Sequence, residues 1–322
     1  MSEPAPRSTA GIDEAEQLRA RVAWYYFMGG MTQQEIANRL GLTRLRVNRI
    51  VGQVRADGSV HIELRLPLAH CVALEERLRA RFGLVEVNVV PTVPDEADLQ
   101  RVIGEAAAAL LEPRLVPGIG VAVGWGRTLR AAIARIAPHR LDGSWVVSLM
   151  GGLARGSGTN TFEVSTALAQ AIGAECFYFT APIYCPSRES KATLLTHYGV
   201  AETMRRAKSC DVALVTCGDL STRSLLGRTQ AVVESVEGLR AAGAVGDLLG
   251  VFCNAEGEPV DHPLNGRVMA LPPVDLKRVP VSIMAAGGPH KAPVMRGLLA
   301  AGYVNRLATD EATAETLLEP GR

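Results

Sequence analysis

Five arginines, Arg39, Arg44, Arg46, Arg49 and Arg55, fall between positions 39 and 56 with no acid among them. A guanidinium can hold phosphate oxygens or bond both acceptors of a guanine edge, and the carboxamide of Asn48 can do the same for adenine. The chemistry this stretch offers is contact with double-stranded DNA. A second set of groups lies downstream: Gly124, Gly126, Arg127 and Thr128 after GIGVAV; Gly151 and Gly152 after WVVSLM, with Asn160, Thr161 and Glu163 beyond; and Gly287, Gly288 and Lys291 after VSIMAA. Glycines let the backbone approach an anion, N–H groups at a helix start point at it, and a hydroxyl or a cation adds donors. The first loop is neither GK[ST] nor GxGxxG, and by itself it reads equally well as a tight strand-to-helix turn. Its repeated placement points to one shared ligand site.

The elements that must position the first set read as a helix-turn-helix. Thr32 caps a helix and Glu35 completes a capping box, with Ile36, Ala37 and Leu40 as its apolar stripe. Gly41 ends that helix, Leu42 is a buried pin and Thr43 caps a second helix whose apolar side is Leu45, Val47, Ile50, Val51 and Val54. The DNA-facing groups are then Thr32, Gln33, Thr43, Arg44, Arg46, Asn48 and Arg49. A surface helix rich in solvated arginine is the plainer alternative, but box, glycine turn, pin and acid-free face coincide here. Residues 13–29 supply a support helix through Leu18, Val22, Ala23, Tyr26 and Phe27. VHIELRL, residues 60–66, alternates as a short strand or wing, and Pro67 closes the module.

From residue 67 the chain repeats strand, loop and helix. Residues 68–82 read as a packed linker helix through Leu68, Val72, Leu74, Leu78 and Phe82. VEVNVVP, GIGVAVGWG, SWVVSLMGG, ECFYFTAP, DVALVTCG and VSIMAAGG are short apolar runs, several of them followed by glycine. Such runs predict an α/β, Rossmann-like fold, a parallel sheet covered on both faces, with ligands bound beyond the carboxyl ends of the strands. The domains are therefore 1–66, a DNA-binding module, and 67–322, an effector and oligomerisation domain.

Composition sets bounds on function. With 48% hydrophobic and 21% charged residues the chain of 322 is globular, and a net charge of +1 gives no whole-chain attraction to nucleic acid. Residues 1–66 hold nine arginines against seven acids, so the basic character is local. The amino terminus has no positive-then-apolar signal and no run long enough to span a bilayer, which implies a cytoplasmic protein with no membrane partner. Six cysteines without a CxxC pair imply reduced, mostly buried thiols, and the six histidines lack ligand spacing, so no metal and no cofactor is expected.

TQQEIANRLGLTRLRVNRI, GWGRTL, VSLMGG, GAVGDLLGVFCNAEGEPVDHPLNGRV and MAAGGPHKAPVMRGLLAAGYVNRLATDEATAETLL together resemble the sorbitol-operon (SorC) family of transcriptional regulators over roughly residues 14–320. The resemblance implies a helix-turn-helix joined to an effector domain of the phosphosugar isomerase and deaminase fold, not an enzyme, that senses a sugar, polyol or sugar phosphate. It implies a homo-oligomer, a tetramer, on operator DNA. It maps a phosphate loop onto Gly124, Gly126, Arg127 and Thr128, a second anion contact onto Lys291, and sugar-proximal roles onto Arg228 and Asp247. Met150 departs from the lysine or arginine of some relatives, which argues against an imine with an aldose or a second phosphate there. The alternative is a sugar-phosphate isomerase or deaminase using carboxylates such as Asp219, Asp247 or Glu163, none of which sits in a recognisable motif with histidine.

Overall fold

The computed structural model describes residues 14–57, 59–60, 68–153 and 160–319. The chain divides into two compact units, Met1–Leu66 and Pro67–Arg322.

In the first unit α1, Glu14–Ala23, runs into one π-wound turn, Trp24–Met28, and is followed by α2, Gln33–Leu40, and α3, Arg44–Ala56. Thr32 Oγ1 accepts the Glu35 N–H at 3.2 Å while the Glu35 carboxylate accepts the Thr32 N–H at 2.7 Å, so the capping box forms. Gly41 turns the chain with φ 64°, a left-handed conformation that costs a residue without Cβ nothing extra. Thr43 Oγ1 then accepts the Arg46 N–H at 3.3 Å and starts α3. Val22, Ile36, Ala37, Val47, Ile50, Val51 and Val54 form the core, with Leu18, Tyr26, Phe27, Leu40 and Leu42 packed around them.

Leu45 corrects the expected apolar side of α3: it is 69% exposed. At about 100° per residue it projects opposite Val47, Ile50, Val51 and Val54, so its residue type misassigned its face. The expected wing lies outside the described residues beyond Val60, which packs on this core.

In the second unit seven parallel strands form one sheet in the order β1-β10-β9-β5-β2-β3-β4. They are β1 Glu86–Val90, β2 Gly120–Val123, β3 Trp145–Ser148, β4 Glu175–Phe177, β5 Val212–Val215, β9 Val281–Ala285 and β10 Arg306–Asp310. A second, antiparallel sheet joins β6 Cys217–Asp219, β7 Gly246–Leu248 and β8 Val251–Cys253. Helices α4 Ala69–Phe82, α5 Glu96–Leu111, α6 Arg127–Arg135 and α7 Thr161–Ile172 pack on the parallel sheet. Cys71, Leu74 and Leu78 bury α4, whereas Val72 faces outward. Gly104 lets α5 close on α6, since a Cβ there would come within 2.6 Å of Thr128 O.

Strand β10 breaks the apolar-run rule yet is buried at all five residues. Its polar groups are paired: Arg306 Nε reaches Glu86 Oε2 at 2.7 Å, and Asp310 Oδ2 accepts Thr92 Oγ1 at 2.7 Å. Beyond β2 the chain continues into β3 and β4 on one side of the sheet. After β5, the strands β9 and β10 lie on the other side. The boundary between β2 and β5 is thus a topological switch point, where open α/β sheets leave a crevice for ligands.

Candidate functional site

The crevice is present and is lined from the carboxyl ends of β2, β3, β5 and β9. Gly124, Trp125, Gly126, Arg127 and Thr128 form one wall, Thr216, Cys217 and Gly218 a second, and His290 and Lys291 a third. Met150, Asp247, Leu249 and Arg223 close it, and its space, open mouth included, is about 680 Å³. The Gly124 N–H donates to Leu214 O at 2.9 Å, which carries the β2–β5 pairing to the lip of the pocket. Gly126 then takes φ 121°, a conformation that favours glycine, and no side chain caps α6 behind it. The first N–H groups of α6 therefore have neither a helical acceptor nor a cap, as an anion site requires.

Charge is divided across this space. Arg127 stands within 3.7 Å of Glu96, both half-exposed, a weak pair that an anion can displace. In the same pocket burial pushes the Asp247 carboxyl up to about 7, while the Gly250 N–H and Lys291 pull the other way. Asp247 Oδ2 accepts the Gly250 N–H at 3.0 Å. Burial, then the nearby Lys291, holds the His290 imidazole below its usual range. Its Nε2 is buried with no hydrogen-bond partner among the described residues. A buried polar atom left unpaired costs about 1–3 kcal/mol, so this nitrogen, on a residue of the pocket lining, suits a hydroxyl of a ligand that would pair it.

Of the residues anticipated from sequence, Gly124, Gly126, Arg127, Thr128, Asp247 and Lys291 line this one pocket. Gly151, Gly152, Glu163, Arg228, Gly287 and Gly288 are not in its lining. A Cβ on Gly151 would come within 2.5 Å of Ala181 O, one on Gly152 would fall on the Phe162 ring, and one on Gly287 would fall on Asp310 and Ile103, so these glycines serve close packing. The Gly288 N–H is held by Thr313 Oγ1 at 2.7 Å. Glu163 caps α7 by accepting the Asn160 N–H at 2.9 Å, and Arg228 Nε donates to Thr222 O at 2.6 Å. Trp125, Thr216, Arg223 and His290 line the pocket without having been anticipated; Trp125, inside GWGRTL, and His290, inside GGPHK, carried a local signal.

On α3 the anticipated side chains Thr43, Arg44, Arg46, Asn48 and Arg49 are exposed, and so is Thr32 before α2. Arg39 and Arg55 stack on aromatic rings, Arg39 over Tyr25 at 4.6 Å and Arg55 over Phe27 at 5.4 Å. The guanidinium groups of Arg44, Arg46 and Arg49 make no ion pair or hydrogen bond among the described residues. Gln33 Nε2 donates to Asn48 Oδ1 at 3.3 Å, tying α2 to α3. All six cysteines are free thiols, five of them buried. Among the described residues no helix is long and apolar enough to cross a membrane.

Residues 66–319 match the sugar-binding domain family, and residues 30–59 match the bacterial regulatory proteins of the crp family. The chain is 30% identical to the erythritol catabolism regulatory protein EryD of Brucella abortus (strain 2308), over 95% of this chain and 98% of that protein. It is 32% identical to the transcriptional regulator LsrR of Escherichia coli (strain K12), over 97% of each. It superposes on the full-length sorbitol operon regulator SorC from Klebsiella pneumoniae with a TM-score of 0.75 at 25% identity, over 95% of this chain and 100% of that one.

Proposed function

We propose a function from one premise: this chain belongs to the SorC family of transcriptional regulators. It controls an operon of carbohydrate or polyol catabolism, binding operator DNA through α3 and a small hydroxylated effector in the pocket between β2 and β5. It is a regulator and not a sugar-phosphate isomerase or deaminase, as its relatives are named regulators and a shared fold carries no activity with it.

One observation carries the effector assignment: one pocket brings together Arg127, Lys291, the uncapped start of α6 and the buried carboxyl of Asp247. The first three suit a phosphate and the carboxyl suits hydroxyls, so the effector is a sugar or polyol with at most one phosphate. Met150, wholly buried in the lining, offers neither an amine for an imine nor a charge for a second phosphate. Two relatives named for erythritol catabolism and a sorbitol operon support a polyol or sugar backbone.

The effector shifts a population: it changes DNA affinity only by binding one assembly state more tightly than another. A single helix-turn-helix reads too few base pairs to select a genomic site, so the protein acts as a homo-oligomer, a tetramer in this reading, in the cytoplasm where its DNA lies. Fluorescence anisotropy on its own promoter duplex, with and without a panel of polyols, sugars and their monophosphates, tests the reading. One compound class should change both DNA affinity and melting temperature. A protein that turns over a sugar phosphate while no compound alters its DNA binding would overturn the reading, and sedimentation as a monomer would remove the tetramer.

A further inference from the structure

Leu45 is 69% exposed at the second position of α3, and among the described residues it takes no part in the core of its own unit. Successive residues turn about 100° around a helix, so the direction of each side chain on α3 follows from the buried stripe. Val47, Ile50, Val51 and Val54 face the core. Leu45 lies on the opposite meridian, and Arg49, Gly52 and Ala56 continue it along the helix, all exposed. Asn48 stands beside this ridge, while Arg44 and Arg46 leave at about 100° on either flank. A Cβ on Gly52 would meet no atom within 4 Å, so the ridge is low there and the helix backbone is bare. A lone exposed leucine is ordinary on a protein surface. This one projects from the centre of a face whose guanidinium groups, on Arg44, Arg46 and Arg49, are unpaired among the described residues.

A face with cations on both flanks and an apolar tip between them matches a major groove, whose walls are phosphates and whose apolar feature is the C5 methyl of thymine. We propose that Leu45 is a specificity-determining residue that packs on a thymine C5 methyl, while Arg44 and Arg46 hold the two phosphate walls and Asn48 and Arg49 bond base edges. The Gln33 bond to Asn48 Oδ1 leaves the Asn48 amide N–H groups for a base acceptor beside that methyl. The proposal rests on the DNA-binding reading given above.

The test uses duplexes selected from a random pool by the full-length protein, remade with each thymine replaced in turn by deoxyuridine, which deletes only the methyl. One thymine in each half-site should then weaken native binding about four-fold, the worth of one methyl removed from water. Leu45→Ala, which removes the contact in every half-site at once, should lose about four-fold per half-site on the unaltered duplex, be indifferent to deoxyuridine at that thymine and keep the native salt dependence. Leu45→Met, which restores an apolar reach, should recover the sensitivity. Because Leu45 is outside the core, unchanged melting temperatures are expected for both variants. A Leu45→Ala protein that binds as the native one does, or keeps its deoxyuridine penalty, overturns the proposal. A native protein that selects no sequence and binds no duplex overturns the DNA reading itself, and that result appears before any variant is measured.

Discussion

Gln33 and Asn48 meet across the turn of the helix-turn-helix, with Gln33 Nε2 donating to Asn48 Oδ1 at 3.3 Å. The bond joins the first residue of α2 to the exposed side of α3 and limits the rotamers of a side chain that must present its amide to a base. Exposed and long, it contributes little to folding. Its effect should appear in DNA affinity, through orientation bought before binding.

Gln33→Ala is therefore expected to weaken operator binding about two- to ten-fold, the range of one net hydrogen bond, with no change in melting temperature. Anisotropy titrations of the variant and the native protein on one duplex measure it. Equal affinities would show that the bond orients nothing of consequence.

Arg46→Ala and Arg49→Ala should each cost more than ten-fold at moderate salt, because a base or phosphate contact of about 1–3 kcal/mol is lost in each. The two should differ in kind. Arg46 leaves the flank of α3, so its removal should lower the slope of log affinity against log salt by about one, whereas Arg49, on the ridge, should mainly relax sequence preference. Unchanged operator affinity in both variants would take α3 out of the interface.

What was legible in the sequence was what is decided locally. The capping box at Thr32 and Glu35, the Gly41 turn and the Thr43 cap involve partners within a few residues and formed as read. Leu45 was misread because its apolar type outweighed its angle. Strand β10 was missed because Arg306 and Asp310 are buried through partners such as Glu86 and Thr92, more than two hundred residues away, which no local window contains. In the pocket, glycine after a strand marked the right end of the sheet but not the neighbouring strand. Gly124–Thr128 meets Lys291 only because β2, β5 and β9 are adjacent, whereas the equally suggestive Gly151 and Gly152 are pressed against Ala181 and Phe162. Arg223 enters on the connection between β6 and β7 of the small antiparallel sheet, short strands for which the chain carries no periodic signal.

Asp247 should make stability depend on pH. Burial holds its folded-state carboxyl up at about 7, and an unfolded aspartate titrates near about 3.9. Between about pH 4 and 7 the folded chain keeps a proton that the unfolded chain has lost, so this group's contribution falls as pH rises through that window and is flat above it. Asp247→Asn can still accept the Gly250 N–H but has no such titration. Its stability relative to the native protein should rise from pH 4 to 7, by up to about 4 kcal/mol, and then stop rising. Denaturant melts of the effector-free proteins at several pH values check this, and a difference that does not vary with pH would exclude a raised carboxyl.

The anion loop and Lys291 decide between two kinds of effector. If the start of α6 and Lys291 hold one phosphate, the double variant Thr128→Ala with Lys291→Ala loses two contacts of about 1.5–3 kcal/mol each, at least a hundred-fold in effector affinity. Thermal stabilisation by a sugar or polyol monophosphate should vanish, and with it the effect on DNA binding. DNA affinity without effector should survive, since these residues belong to the unit Pro67–Arg322 and α3 belongs to Met1–Leu66. An unphosphorylated polyol would make no use of the Lys291 charge and would rely on Asp247 and the unpaired His290 Nε2. A double variant that still responds normally to the native effector would therefore eliminate the phosphate and leave a neutral polyol as the ligand of the same pocket.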